Sequence, residues 1–304
     1  MNSNFFNTIL FTLCIFSLTV RAAEVSFTID DPGVQSAPEM THLQVGKKLQ
    51  ETLKANHLKT ILFVCGMRVD SSDGKKLLSS WDDEGHILAN HTYSHKNYNN
   101  SQITFDFFTQ DIRKNENLIQ EFKNFKRFFR YPMLKEGDTV PKRNGLRTFL
   151  KDNKYSVGHV TIDASDWYIS NRMVEKLNQG KKVDFEAYKK YYLNHIWDRA
   201  QYYNQLSKEI LGREIKHNVL IHHNPLNAYF LGDLIQMFKS KGWKVISAEN
   251  AFKDPAYSFS PNNLPAGESL LWALAKESGK YESKLRYPAE DGEYQKEEMN
   301  KLGL

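Results

Sequence analysis

The feature that most constrains this 304-residue chain is an alternation of short, apolar, β-rich runs with stretches of helical spacing. The runs fall at residues 25–29, 60–64, 86–89, 128–130, 156–162, 219–221 and 243–246, with helical segments between them, notably 105–122 and 185–211. Residues 43–49 have the apolar spacing of an amphipathic helix. Runs that are apolar throughout read as parallel strands buried on both faces. The alternation then predicts an α/β fold with a parallel sheet and outer helices, open or closed into a barrel. Such a barrel commonly takes about 250 residues as one domain, so the length forces no division.

Three regions stand outside the pattern. Residues 8–20 are a nearly pure apolar run followed by Arg21-Ala22-Ala23, with no Lys or Arg before it. A bilayer span needs about 20 residues, whereas a secretory h-region is shorter and precedes small residues. Residues 1–23 are therefore expected to be a signal peptide, and the mature protein periplasmic or secreted without stable membrane insertion. A first strand or buried helix is the alternative. Residues 169–217 carry Tyr188, Tyr191, Tyr192, Trp197, Tyr202 and Tyr203. They are expected to pack an aromatic helix face on the barrel; a substrate wall is the alternative. Residues 253–304, rich in Pro, Asn, Gly and charge, read as an extension packed on the surface of the main domain, 24–252.

The formal charge is only +5, with no long Lys or Arg block, so no nucleic-acid partner is expected. Cys14 lies in the apolar leader, and Cys65 sits alone after Ile61-Leu62-Phe63-Val64. A buried, unpaired thiol follows, with no disulfide and no cysteine metal cluster in the mature chain.

Ionisable residues gather at the carboxyl ends of the apolar runs, where parallel α/β sheets bind ligands. Asp30-Asp31 follows Phe27-Thr28-Ile29; alone, such a pair is as well explained by a solvated turn. His91 and His95 are spaced i, i+4, which on a helical turn puts both imidazoles on one face, as metal ligands often are. Arg130, then Asp163 and Asp166 with Trp167 following, and finally His222 and His223 end three further runs. Each has an ordinary structural reading as a salt bridge or a satisfied core histidine; their ordered recurrence points to a site.

As a set, Thr28-Ile29-Asp30-Asp31, His91-Thr92-Tyr93-Ser94-His95, Arg130-Tyr131-Pro132, Asp163-Ala164-Ser165-Asp166-Trp167 and Leu220-Ile221-His222 resemble the five ordered motifs of the NodB-type polysaccharide deacetylases, a carbohydrate esterase family. The resemblance implies a distorted (β/α) barrel with fewer than eight strands and an acetylated glycan as substrate. It implies a divalent metal, usually zinc (Co2+, Mn2+ or Ni2+ as alternatives), on Asp31, His91 and His95. Asp30 would be the general base, oriented by Arg130. His222, rather than His223, would be the general acid, with Asp166 setting its charge. The Met133 N–H would help hold the oxyanion, and Tyr131 and Trp167 would line the substrate site. The motif Asp30-Asp31-Pro32-Gly33 lacks the Gly usual between the second Asp and Pro, and the third motif lacks a second Pro. Both departures bear on the glycan accepted.

Hydrolysis of a sugar acetamide is the leading reading. O-deacetylation of a polysaccharide and a catalytically dead carbohydrate-binding homologue are the alternatives. The facial triad of Fe(II) oxygenases also uses two His and one carboxylate, but that chemistry has no use for Asp30, Arg130 and His222.

Overall fold

The computed structural model describes residues 22–285 and 292–304. The leader expected at 1–23 lies almost wholly outside the described residues. The chain runs β1 (Glu24–Asp30), α1 (His42–Ala55), β2 (Ile61–Val64), α2 (Ser72–Asp83), β3 (Ile87–Asn90), α3 (Phe105–Ile119), β4 (Phe125–Phe129), β5 (Lys135–Gly137), α4 (Val140–Asp152) and β6 (Ser156–Val157). It continues through α5 (Asp166–Asn178), α6 (Phe185–Leu211), β7 (Lys216–His222), α7 (Pro225–Ser240) and β8 (Lys244–Val245). The last elements are α8 (Ala248–Ala251), β9 (Ala266–Gly267), α9 (Leu270–Ser278) and α10 (Glu293–Lys301).

Six strands lie in the order β6-β4-β3-β2-β1-β7, with β8 also on β1, and every pair among them is parallel. β1 and β2 are buried at every position, as strands covered on both faces must be. The run expected at 156–162 is two pieces rather than one strand. Ser156 and Val157 pair with β4, whereas Ile162 bridges to Val219 of β7. The break at residues 158–161 lets one segment touch both edges of the sheet and curl it into the distorted (β/α) barrel.

Helix starts follow local side-chain chemistry. Thr41 and Gln44 form a capping box on α1, while Ser71, Thr104, Thr139 and Asn224 cap α2, α3, α4 and α7. The 27-residue α6 spans the bounds expected for it and stops at Gly212, which is left-handed at φ 67°. Its aromatic face does pack on the barrel: Tyr188, Tyr191, Tyr192 and Tyr203 are buried, and Trp197 stacks edge-on against Phe238 and Trp243. β4 starts three residues before the expected run because its middle residues, Lys126 and Arg127, are exposed and hide the apolar pattern. The tail after Lys253 is anchored: Met299 and Leu304 are buried, and β9 pairs antiparallel with β5.

Gly158, where β6 ends, packs on Phe63 of β2; a Cβ there would stand 2.3 Å from Phe63 Cζ. Gly158→Ala should lower stability by about 1–3 kcal/mol through overpacking, read as a lower Tm. Gly232→Ala on α7, where only Thr52 Cγ2 lies near at 3.8 Å, should leave Tm unchanged or slightly higher. Equal melting temperatures for the two variants would exclude this packing account.

Candidate active site

The parallel strands all deliver their carboxyl ends to one mouth of the barrel. Asp30 ends β1, and Asp31 follows in a left-handed conformation at φ 56°, so the two carboxylates diverge. His91 and His95 follow β3. They do not sit on a helical turn, as the i, i+4 spacing suggested, but on a loop whose Thr92 and His95 are left-handed, at φ 61° and 52°. Side chains hold this loop in place of helical hydrogen bonds. Thr92 N donates to Asn90 Oδ1 at 2.9 Å, His95 N donates to Thr92 Oγ1 at 3.1 Å, and Ser94 N and Oγ both donate to Asp111 Oδ2 at 2.9 Å.

The result still brings the predicted ligands together. One ligand atom each from Asp31, His91 and His95 lies within 4.8 Å of the others. The His91 Nδ1–H donates to the Arg130 carbonyl at 2.8 Å, which leaves the Nε2 lone pair for the site, the usual second partner of a ligating histidine. Burial pushes His91 down to about 3 and lowers His95, so both imidazoles are neutral. Asp31 Oδ1 is buried without a well-formed hydrogen bond, its one charged neighbour there being the Arg68 guanidinium at 3.2 Å. Two neutral imidazoles and one under-bonded carboxylate fit a divalent metal of the zinc type.

Beside this donor set lies the second carboxylate. Asp30 Oδ1 accepts from Arg130 Nη1 at 2.5 Å. Arg130 also donates to Thr28 Oγ1 at 2.8 Å and, through Nε, to the Gly158 carbonyl at 2.9 Å, while its guanidinium covers the Phe63 ring at 3.9 Å. Both members of the pair are buried. Burial pushes Asp30 up to about 6 against the opposing pull of Arg130, so its carboxyl can take a proton near neutral pH.

Opposite Asp30 in the β1–β7 register is His222. Burial opposes its charge, but the carboxylates of Asp166 and, to a lesser degree, Asp30 and Asp31 together raise it to about 9. The His222 Nδ1–H donates to Asp166 Oδ1 at 2.8 Å. Asp166 Oδ2 accepts from the His222 N–H, Asn224 Nδ2 and Asn227 Nδ2 at 2.9, 2.8 and 2.7 Å. His223 turns the other way, its ring 6.2 Å from that of Trp81 in α2, and burial lowers it to about 4. Asp163 is buried beside the cleft and pushed up to about 7, first by burial and then by Glu268.

Met133 and Leu134 follow Pro132 as two successive left-handed residues, at φ 54° and 55°; each costs about 1–2 kcal/mol for a residue with a Cβ. Met133 is half exposed, as is Trp167 to a lesser degree, and both line a cleft of about 790 Å³ with Asp30, Asp31 and His222. Tyr131 borders the same cleft from a buried position.

Three site residues escaped the sequence reading. Arg68, in the turn after β2, puts Nε 3.2 Å from Asp31 Oδ1. It is an ionisable residue just past a strand, the same signal that marked the others. Asn224 and Asn227 clamp Asp166, and the Asn224-Pro225 pair that starts α7 is a helix-start signal close to His222.

Residues 19–149 match the family model described as polysaccharide deacetylase. A peptidoglycan-N-acetylglucosamine deacetylase of Bacillus cereus is 21% identical over 246 residues, covering 78% of this chain and 71% of that protein. A chitin deacetylase of the fungal pathogen Colletotrichum lindemuthianum superposes with a TM-score of 0.53 at 17% identity, over 79% of this chain and 92% of that one. A CE4 family pseudoenzyme from Bacillus anthracis superposes with a TM-score of 0.52 at 17% identity, over 76% of this chain and 66% of that one. These structural likenesses show the barrel fold. The family match and the five motifs gathered at one mouth agree with the resemblance to the NodB-type polysaccharide deacetylases.

Proposed function

We propose that the protein is a metal-dependent carbohydrate N-deacetylase, hydrolysing the acetamide of an N-acetylated glycan to acetate and a free amine. One observation carries this reading: a carboxylate base and an imidazolium acid, each with its own buried partner, flank a single His-His-Asp donor set. An amide needs both, because water must lose a proton to attack and the amine must gain one to leave. A glycan-binding surface has no use for two such groups held in opposite protonation states. Peptidoglycan- or chitin-like polymers are the substrate class, in keeping with the relatives' names and with the leader read at residues 1–23. Action outside the cytoplasm is part of the proposal.

Asp31, His91 and His95 would hold the metal, with zinc the ion best suited to two nitrogens and one oxygen. When bound it would supply Lewis acidity to the substrate carbonyl and to water. Asp30, fixed by Arg130, takes the proton of the attacking water as the carbon–oxygen bond forms. The Met133 N–H faces the oxyanion of the tetrahedral adduct, a kind of stabilisation that needs preset donors. His222 then gives its proton to the nitrogen, the carbon–nitrogen bond breaks, and acetate and amine leave. Asp166 keeps His222 charged for that step.

Asp30→Asn should cut acetate release from N-acetylglucosamine oligomers by about 10²–10⁴-fold, the usual worth of a general base. Zinc binding by calorimetry should survive in that variant. Chelation should abolish turnover and added zinc restore it. Absence of acetate release from every N-acetylated glycan tested with the zinc-loaded wild type would sink the proposal.

The base must be deprotonated and the acid protonated. Activity should therefore rise with pH through the Asp30 transition near 6 and fall as His222 loses its proton near 9. Asp166→Asn removes the charge that holds His222 up, so the alkaline limb should move towards acid. An imidazole NMR titration of His222 in that variant should show the same downward movement; a transition still near 9 would rule out Asp166 as the cause.

A further inference from the structure

The tail after Lys253 lies beyond the family match, and the reaction outlined above assigns it nothing. One stretch of it, residues 261–270, meets the turn at Met133 and Leu134. Leu134 and Met133 hold left-handed conformations without being glycines, and such backbone persists only where its surroundings over-determine it. Within the turn, Leu134 N donates to the Tyr131 carbonyl at 3.0 Å. Further restraints come from the far end of the chain. Glu268 N donates to the Leu134 carbonyl at 2.9 Å. Lys135 and Gly137 pair in antiparallel register with Gly267 and Ala266. The Lys135 ammonium donates to the Glu268 carboxylate across the same junction, with Glu268 only 9% exposed.

Asn99 ties the two strands together from the side. Its Oδ1 accepts from Gly137 N at 2.7 Å, and its Nδ2 donates to the Ala266 carbonyl at 3.2 Å. Arg147 Nη2 on α4 donates to the Pro261 carbonyl at 2.8 Å, and Leu270 N donates to the Val160 carbonyl at 2.8 Å. The second of these bonds reaches the segment that leads to Asp166. Gly267 permits the closest approach: at φ 127° it lies against Leu134, and a Cβ on it would stand 2.1 Å from the Leu134 carbonyl oxygen. Only glycine accepts both that dihedral and that distance.

We infer that the segment 261–270 is a clamp that sets the Met133 N–H in the catalytic cleft, with Gly267 and Glu268 as positioning residues for the deacetylation step. The kinetic half of this inference rests on the deacetylase reading; the conformational half does not. Gly267→Ala displaces Leu134, whereas Glu268→Gln removes the ion pair to Lys135 without adding an atom. Gly279→Ala is the control. Gly279 is also at positive φ, 65°, and also in the tail, but a Cβ there meets nothing within 4 Å, so it places a positive-φ alanine away from the turn.

The test is amide hydrogen exchange over residues 131–137 in the metal-free full chain, together with steady-state kinetics of the zinc-loaded enzyme on an N-acetylglucosamine oligomer. Gly267→Ala should speed exchange in that segment and lower kcat by about 10²–10³-fold, the cost of one oxyanion donor. KM and zinc affinity should stay within about threefold, since neither depends on that N–H in the ground state. Glu268→Gln should move both readouts in the same direction by a smaller amount, and Gly279→Ala should move neither. Unchanged exchange at 131–137 in both Gly267→Ala and Glu268→Gln would overturn the clamp. So would faster exchange with an unaltered kcat, or a loss of kcat in Gly279→Ala equal to that in Gly267→Ala. Should Gly267→Ala fail to fold, Glu268→Gln alone decides. If the wild type releases no acetate, the deacetylase reading fails, and the exchange arm still judges the clamp.

Discussion

The site depends first on a guanidinium placed where water cannot reach it. Moving a charge into a protein interior costs several kcal/mol even after relaxation, and only close partners offset it. Arg130 finds them on three separate segments: the Asp30 carboxylate and Thr28 hydroxyl of β1, the Gly158 carbonyl beyond β6, and the Phe63 face of β2. The same residue's carbonyl fixes the His91 tautomer. One side chain and its own backbone therefore couple Asp30, His91 and the closure of the barrel. Removing any one partner leaves a buried charge under-compensated, so this neighbourhood is held as a unit.

Much of this was legible in the sequence because two signals are local. Strands buried on both faces are apolar throughout, and parallel strands put their functional residues just past their ends; Asp30, His91, Arg130 and His222 all obey that rule. What was not legible depends on partners far along the chain. β4 carries exposed Lys126 and Arg127, so half of it did not read as a strand. The interruption after Val157 cannot be read from residues 156–162, since its cause is that each half has a different neighbour. The histidine spacing suggested a helical turn because period alone does not reveal that Asn90, Thr92 and Asp111 hold the loop by side-chain bonds. Asn224 and Asn227 have no charge to draw notice, and their importance is visible only once Asp166 is seen between them.

The reach of the family match has a structural meaning. Residues 19–149 contain Asp30, the Asp31, His91 and His95 donor set, Arg130 and the turn at Met133, but neither Asp166 nor His222. Asp166 and His222 come from the later part of the chain, and His222 enters the site through β7, whose register on β1 sets it opposite Asp30. Three donors to Asp166 Oδ2 hold the His222 side of the site, and partners on three segments hold Arg130 on the other.

Just past β2 lies the free thiol of Cys65, fully buried, its Sγ–H donating to the Tyr93 carbonyl at 3.3 Å. Burial, reinforced by the negative charge of Asp31, pushes it up to about 12. A thiolate would be the softest and most competitive zinc donor in this part of the barrel, and the nucleophile most open to oxidants. Held as a thiol, it does neither. The donor set of Asp31, His91 and His95 thus stays one of nitrogen and oxygen.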